Sequence, residues 1–455
     1  MLTCCLLTGI VGLGIADPTA SGAVRAVAST ESTNAWFKTC RPHLEWVNWD
    51  RNLDLERYTD TLVARARQIN SDMLVYPWES GGYALYPTEL APPYEHLHGR
   101  DLIGTLERKA HAAGLRFGLC MLGQSGNTYL PSAHPEWVMR DRNDQPVGKW
   151  HGYQFRSLCP NSSYTNYLAA VASELLRRYS VDALYLEGIY LGSGFCRCDF
   201  CLESFRQNHG RELPRDGLED DLDYQRYRQD SFARPFQALR RAIDAASPGT
   251  AFFGGLGYTY YFGKQGDDVR RVAPLVDVVC IESQWNYDLP QGYDPGWAPP
   301  LSEVGLMIRQ LRAAGGKPVL GTVWIAKHVD QNYAPRTPAN VTLNFMELLA
   351  QGAIPQVHVQ NALEVDATLL PVLSRLYADA GRLLPWLADS APVAHVGLLD
   401  WATLDRPADF LDASLRGAYK ALLEAHLPVT LVTPAQISMT DCKVLVLAKI
   451  GRAHV

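Results

Sequence analysis

The 455-residue chain has no excess of basic residues: 42 Lys and Arg stand against 48 Asp and Glu, for a formal net charge of -6. Non-specific nucleic-acid binders are usually basic, so that class is excluded. No later apolar run reaches the roughly 18 residues of a membrane span. No GxGxxG follows the first expected strand, which removes the dinucleotide-binding signal. No internal repeat is visible beyond an alternation of strand and helix. Ten cysteines are scattered, apart from Cys4–Cys5 and a trio at 196–201, unlike a small disulfide scaffold.

The N-terminus also lacks something. Residues 2–15, LTCCLLTGIVGLGI, are apolar and then small, like the h-region of a signal peptide with cleavage near Ala16 to Ala23. No Lys or Arg precedes them, so the basic n-region is missing. Residues 1–35 are expected to be a partial signal peptide and linker, which would make the protein secreted or periplasmic. A buried N-terminal segment is the alternative and would leave it cytoplasmic. At the other end, IGRAHV is what a common sequencing-adapter oligonucleotide encodes in one frame. Residues 450–455 are therefore expected to be a non-native tail, with the native chain cut near Lys449.

Between these ends the composition is ordinary for a globular protein: 47% hydrophobic and 20% charged. Apolar runs of strand length recur at 44–49, 72–77, 115–122, 181–187, 250–257, 276–282, 317–325 and 354–360. Amphipathic stretches separate them, at about 55–69, 100–113, 164–179, 199–246, 301–314, 338–351 and 367–383. Strands without alternation are buried on both faces. Eight such units over 36–385 predict a (β/α)8 TIM barrel, with an open doubly wound sheet as the competitor. After a linker at 384–391, PVAHVGLLD, PVTLVTP and DCKVLVLA predict the start of a flavodoxin-like α/β domain over 392–449, truncated.

In a TIM barrel the reacting groups stand at the C-terminal strand ends. Those ends carry Asn48, Trp49 and Asp50; Trp78 and Glu79; Gln124; Glu187 and Tyr190; Tyr258, Tyr260 and Tyr261; Glu282, Gln284 and Trp285; Trp324, Lys327 and His328; and His358, Gln360 and Asn361. Sugars ask for such a ring, with flat apolar faces to stack on and polar groups for hydroxyls. Glu187 and Glu282 each close an apolar strand, where an ionised group is costly without a partner or a role. Glycoside hydrolysis needs two carboxylates flanking the bond, one protonated and one ionised. A rim ion pair, for instance with Lys327 or an Arg, is the structural alternative. Glu79 and Asp50 are further candidates. Asn48, Trp78, Glu79, Tyr83, His151, Tyr258, Trp285, Trp324 and His358 are expected to line the substrate site.

GFCRCDFC places Cys196, Cys198 and Cys201 in a CxCxxC loop just after Glu187. Redox CxxC motifs usually open a helix after the first strand of a thioredoxin-like unit, whereas this trio sits in mid-barrel. A structural zinc wants four thiolates or imidazoles in a tetrahedron. Cys159 is the expected fourth ligand, His151 the alternate, and free thiols the remaining alternative. Cys120 and Cys280, inside strands, read as small core hydrophobes.

LEGIYLGSGFCRCDFCLESFRQNHGRELP resembles the strand-4 region of zinc-containing β-galactosidases that carry a trimerisation domain. The resemblance implies an acid/base glutamate at Glu187, a CxCxxC triplet beginning nine residues later, Cys159 as the upstream ligand, structural zinc, and a homotrimer. GRDLIGTLERKAHAAGLRFGL, AHPEWVMRDRNDQP, SLCPNSSY, RRYSVDALYLEGIY and ESFRQNHGRELP are similar to a family of hypothetical glycosyl hydrolases related to those β-galactosidases and to the α-L-fucosidases. This likeness spans roughly 40–385. The β-galactosidases place their nucleophile at the end of strand 7, where VLGTVWIAKH has no carboxylate. The α-L-fucosidases put a nucleophile, usually Asp, at the strand-4 tip and commonly the acid/base near strand 6.

The expectation is a retaining glycoside hydrolase, with Glu187 as nucleophile and Glu282 as acid/base or the roles exchanged. A non-catalytic carbohydrate-binding barrel is the alternative. A thiol redox enzyme or zinc hydrolase built on the cysteines is a third.

Overall fold

The computed structural model describes residues 34–46, 54–126, 129–148, 156–189, 191, 194–218, 221–258, 267–283, 302–326, 335–359, 367–388, 390, 393–400 and 413–448. Eight parallel strands close into a barrel: β1 (Pro42–Glu45), β2 (Met73–Pro77), β3 (Arg116–Leu122), β4 (Ala183–Glu187), β5 (Ala251–Tyr258), β6 (Val278–Ser283), β7 (Val319–Trp324) and β8 (Ile354–Val359). Each pairs with its neighbours in sequence, and β8 returns to β1 with His43 opposite Val357. A doubly wound open sheet is thereby ruled out.

Helices α1 (Leu55–Gln68), α2 (Leu102–Ala112), α3 (Tyr164–Arg178), α4 (Asp199–His209), α5 (Leu222–Ala246), α6 (Ser302–Gly315), α7 (Pro338–Ala350) and α8 (Leu369–Leu387) alternate with the strands. Their starts are written in the sequence. Asp54, Asp101, Asp221 and Thr337 each accept a backbone N–H of the first turn, which satisfies a donor the helix leaves open. Between β5 and β6 the described residues hold a one-turn helix, Val269–Val272, followed by a 3-10 turn, Ala273–Leu275. Strand β1 begins two residues earlier than its apolar run suggests, because Pro42 and His43 already pair with β2.

Close helix-to-wall packing rests on two glycines. A Cβ on Gly254 of β5 would lie 2.1 Å from Phe236 Cε1 on α5, and one on Gly321 of β7 would lie 2.3 Å from Leu348 Cδ2 on α7. At the bottom of the barrel, Arg41 Nε donates to Asp72 Oδ2 at 2.7 Å, tying β1 to β2. Asp182 accepts Phe117 N at 2.9 Å and contacts His111 Nε2 at 2.8 Å, tying β4 to β3 and α2. Tyr377 of α8 donates its hydroxyl to Pro42 O at 2.7 Å and accepts Val357 N at 3.0 Å, so one phenol bridges the seam between first and last strands.

Beyond the barrel, β9 (Val396–Leu399), β10 (Val429–Val432) and β11 (Val444–Val446) form a parallel sheet in the order β10-β9-β11, with α9 (Ala413–Glu424). A small apolar cluster of Leu306, Leu398, Leu415, Tyr419, Val429 and Leu431 joins this sheet to α6. Arg309 donates to Val429 O at 2.8 Å and Arg416 pairs with Glu303 at 3.1 Å across the same contact. Among the described residues, no helix is long and apolar enough to cross a membrane.

Candidate active site

Glu187 is the last residue of β4 and Glu282 the fifth of β6. The register of β6 against β5 shifts between Cys280 and Glu282, while on its other side Glu282 stays in register with Thr322 of β7. Such irregularities re-aim a side chain at a barrel rim. Only 8% of Glu187 and 3% of Glu282 is exposed. Glu187 accepts the thiol of Cys120, Sγ to Oε2 3.5 Å, and the Glu282 side chain also acts on the Glu187 carboxyl. Burial pushes Glu187 from its ordinary 4.5 up to about 7, against the opposing pull of these two side chains.

The neighbouring interior positions are polar as well. Cys280 Sγ lies 3.7 Å from Tyr185 Oη and 3.6 Å from Thr322 Oγ1, and Thr322 donates to Gln356 Oε1 at 3.1 Å. Cys120 and Cys280 are buried, as expected, but they are not merely apolar filling: both thiols serve polar groups of the interior. Gly123 N donates to Glu187 O at 2.6 Å, so the end of β3 also fixes the backbone of the catalytic candidate.

Across the rim, Trp46, Trp324 and His358 come together. The Trp324 and His358 rings meet edge to face at 4.3 Å between centroids, and Trp46 lies 5.3 Å from His358 on the other side. Trp46 Nε1, Trp324 Nε1 and His358 Nε2 are buried without a hydrogen-bond partner among the described residues. These three ring nitrogens lie together at the ends of β1, β7 and β8. Burial alone lowers the His358 imidazole to about 3, so it stays neutral at any physiological pH.

Trp78, Glu79 and Tyr83 stand together at the end of β2. Glu79–Ser80 and Tyr83–Ala84 form a tight hairpin that the sequence pattern does not announce. The Gly82 N–H donates to the Glu79 carboxylate. Trp78 Nε1 is another buried donor without a partner among the described residues, and Tyr83 packs at 5.7 Å on Tyr129. The charges of Glu187 and Glu79 both raise the Cys120 thiol, which places the two carboxylates in one electrostatic neighbourhood. Asn48, Asp50, His151, Trp285 and Lys327 lie outside the described residues, and so does the side chain of Tyr258.

The sequence pattern does not point to Trp46 or Cys120. The signal for Trp46 is its two-residue spacing from Leu44, which puts both on the inner face once β1 begins at Pro42. A cavity of about 510 Å³ lies elsewhere, on the outside of the cysteine loop beside Arg142, Arg197 and Arg215. It contains none of the strand-end carboxylates.

The cysteines form a second, separate centre. The sulfurs of Cys159, Cys196, Cys198 and Cys201 all lie within 4.8 Å of one another and are buried. Cys159 and Cys201 are 3.3 Å apart, well over the ~2.05 Å of a disulfide. Cys198 caps α4 and Cys201 sits in its first turn, so the helix start presents two sulfurs to the site. Arg140 N and Cys198 N lie 3.3 and 3.4 Å from Cys196 Sγ, and Asn161 Nδ2 lies 3.4 Å from Cys201 Sγ. N–H groups aimed at sulfur suit thiolates bound to a metal. Zn–S bonds of about 2.3 Å in a tetrahedron put sulfurs ~3.8 Å apart, which this buried cluster could accommodate. Four protein ligands leave no position for substrate, so the centre can hold a metal ion but does not carry the reaction.

Residues 58–188 match the model of the family described as hypothetical glycosyl hydrolase 6. The match ends one residue past Glu187; Glu282 and three of the four clustered cysteines lie beyond it. No curated protein sequence matches the chain. Similar solved structures include α-L-fucosidase isoenzyme 2 from Paenibacillus thiaminolyticus, at 19% identity and TM-score 0.68 over 89% of this chain and 59% of that one. A GH42 β-galactosidase from G. stearothermophilus matches at 16% identity and TM-score 0.68, over 87% of this chain and 66% of that one. A β-galactosidase from Rahnella sp. R3 matches at 16% and 0.69, over 90% and 67%. The chain thus spans under two thirds of the fucosidase. At these identities the likeness is one of fold. Over 58–188 the chain is similar to the hypothetical glycosyl hydrolases, and its barrel shares the fold of β-galactosidases and an α-L-fucosidase, the relationship its motifs imply.

Proposed function

We propose that the barrel is a retaining glycoside hydrolase in which Glu187 is the acid/base and Glu282 the nucleophile. The observation that carries this reading is the pair of buried carboxyls at the ends of β4 and β6, with burial holding Glu187 protonated up to about 7. Of the two role assignments open in the sequence, burial of Glu187 favours this one. A group that keeps its proton near neutrality suits a general acid, and the second carboxylate of such a pair serves as the nucleophile.

In this mechanism Glu187 gives its proton to the glycosidic oxygen as the leaving group departs. The Glu282 carboxylate bonds to C1 from the opposite face, giving a glycosyl-enzyme. Glu187, now ionised, takes a proton from water, the water oxygen bonds to C1, and Glu282 is released as a carboxylate. Trp46, Trp324 and His358 offer the sugar a stacking face and hydrogen bonds. Four cysteines hold a structural zinc that pins the loop leaving β4. The sheet from β9 to β11 belongs to a flavodoxin-like domain, through which the protein forms a homotrimer.

Changing Glu187 or Glu282 to Gln tests the assignment against a panel of aryl glycosides, with the first-formed anomer read by proton NMR. Loss of about 10³-fold or more in kcat for each, with retention of configuration, is expected. Wild-type turnover in either variant removes that residue. Sugar binding with no hydrolysis by the unaltered protein replaces the enzyme with a carbohydrate-binding barrel.

A further inference from the structure

Cys120 lies in mid-strand on β3, wholly buried, and nothing in the reaction above uses it. Its surroundings are nonetheless specific. In the β3/β4 register Cys120 stands opposite Tyr185 and Leu122 opposite Glu187, so the thiol sits diagonally below the carboxylate. From there it donates its S–H to Glu187 Oε2 at 3.5 Å. The thiol cannot serve as a nucleophile. Burial and the charges of Glu187 and Glu79 raise it well above its ordinary value, so it keeps the proton that it points at Glu187.

The groups facing Glu187 come from three strands. Cys120 stands on β3, Tyr185 on Glu187's own strand, and Cys280 and Glu282 on β6. Cys120 and Glu282 alone have a hydrogen bond to the Glu187 carboxyl among the causes that set its acidity. Glu282 must release Glu187 when a sugar enters between them. Cys120 need not, since it stands deeper along β3, opposite Tyr185 rather than at the rim.

We propose that Cys120 is a positioning residue for Glu187: its S–H fixes the carboxylate against the barrel wall and keeps it oriented once substrate separates it from Glu282. This rests on the reading of Glu187 as the acid/base. The contact also stabilises the ionised form of Glu187, opposing burial and holding the group within reach of neutral pH.

The experiment compares Cys120→Val, which keeps the volume and removes the donor, with Cys120→Ser, which keeps a donor and packs less well. The midpoint of the Glu187 carboxyl is read by carbon-13 NMR in each protein and identified by its absence from Glu187→Gln. Cys120→Val is expected to raise that midpoint by about one pH unit and to lower kcat roughly 10-fold with KM little changed. Cys120→Ser is expected to restore most of both. An unshifted midpoint in Cys120→Val, or a Cys120→Ser protein worse than Cys120→Val in both readouts, overturns the proposal and leaves Cys120 as packing. A shifted midpoint in a protein that hydrolyses no glycoside supports the contact while rejecting the enzymatic reading, so the two failures are distinguishable.

Discussion

Glu187 feels Glu282 among the groups that set its acidity, although a whole strand, β5, separates β4 from β6 in the barrel wall. Only the curvature of a closed barrel brings the ends of alternate strands toward one point. The closed wall thereby couples fold to chemistry.

The pH behaviour follows from the sign of the shift. Glu187 is raised in the folded protein, so folding favours its proton. The associated stability is complete below about 4.5, the ordinary value, and is lost as pH rises through about 7. The Glu187→Gln protein has no such charge to bury. It should melt higher than wild type at pH 8, with the gap closing by pH 5, as measured by thermal denaturation at both. In the active wild type, kcat/KM should fall as pH passes about 7, because the acid loses its proton.

The cysteine centre makes a separate prediction. Purified protein should carry about one zinc per chain by elemental analysis, and Cys159→Ser or Cys201→Ser should lose it. Because structural metal binding contributes directly to folding, each variant should melt well below wild type. Full metal content and unchanged melting in both variants would remove the metal assignment.

Trp324 should contribute through binding. Trp324→Ala is expected to weaken sugar binding or raise KM by roughly 10-fold, in line with one aromatic stacking face. Trp324→Phe should recover part of it. Calorimetry with a weakly bound monosaccharide separates this from a change in kcat.

Most of the barrel was legible in the sequence, since strands such as β2 and β7 are buried on both faces and read as apolar runs. Glu187 was legible as a carboxylate where such a run stops, and the cysteines by their spacing. What was not legible depends on register. Cys120 looks like any small buried residue until Leu122 is seen opposite Glu187. Trp46 takes its inward direction from a strand that starts at Pro42, and apolarity alone sets no such start. The Glu79 hairpin is a local turn whose two-residue strands are too short for any periodicity.

Tyr377 ties Pro42 to Val357, groups far apart along the chain and adjacent across the seam. A ribosome delivers the first strand long before it delivers the helix that bears this phenol. Until then the nascent wall has two bare edges, each able to recruit a foreign strand. The interval between translating β1 and translating α8 is therefore the period in which this protein is most exposed to mispairing. Loss of the Tyr377 hydroxyl should be felt in yield from cells before it is felt in the activity of molecules that have already closed.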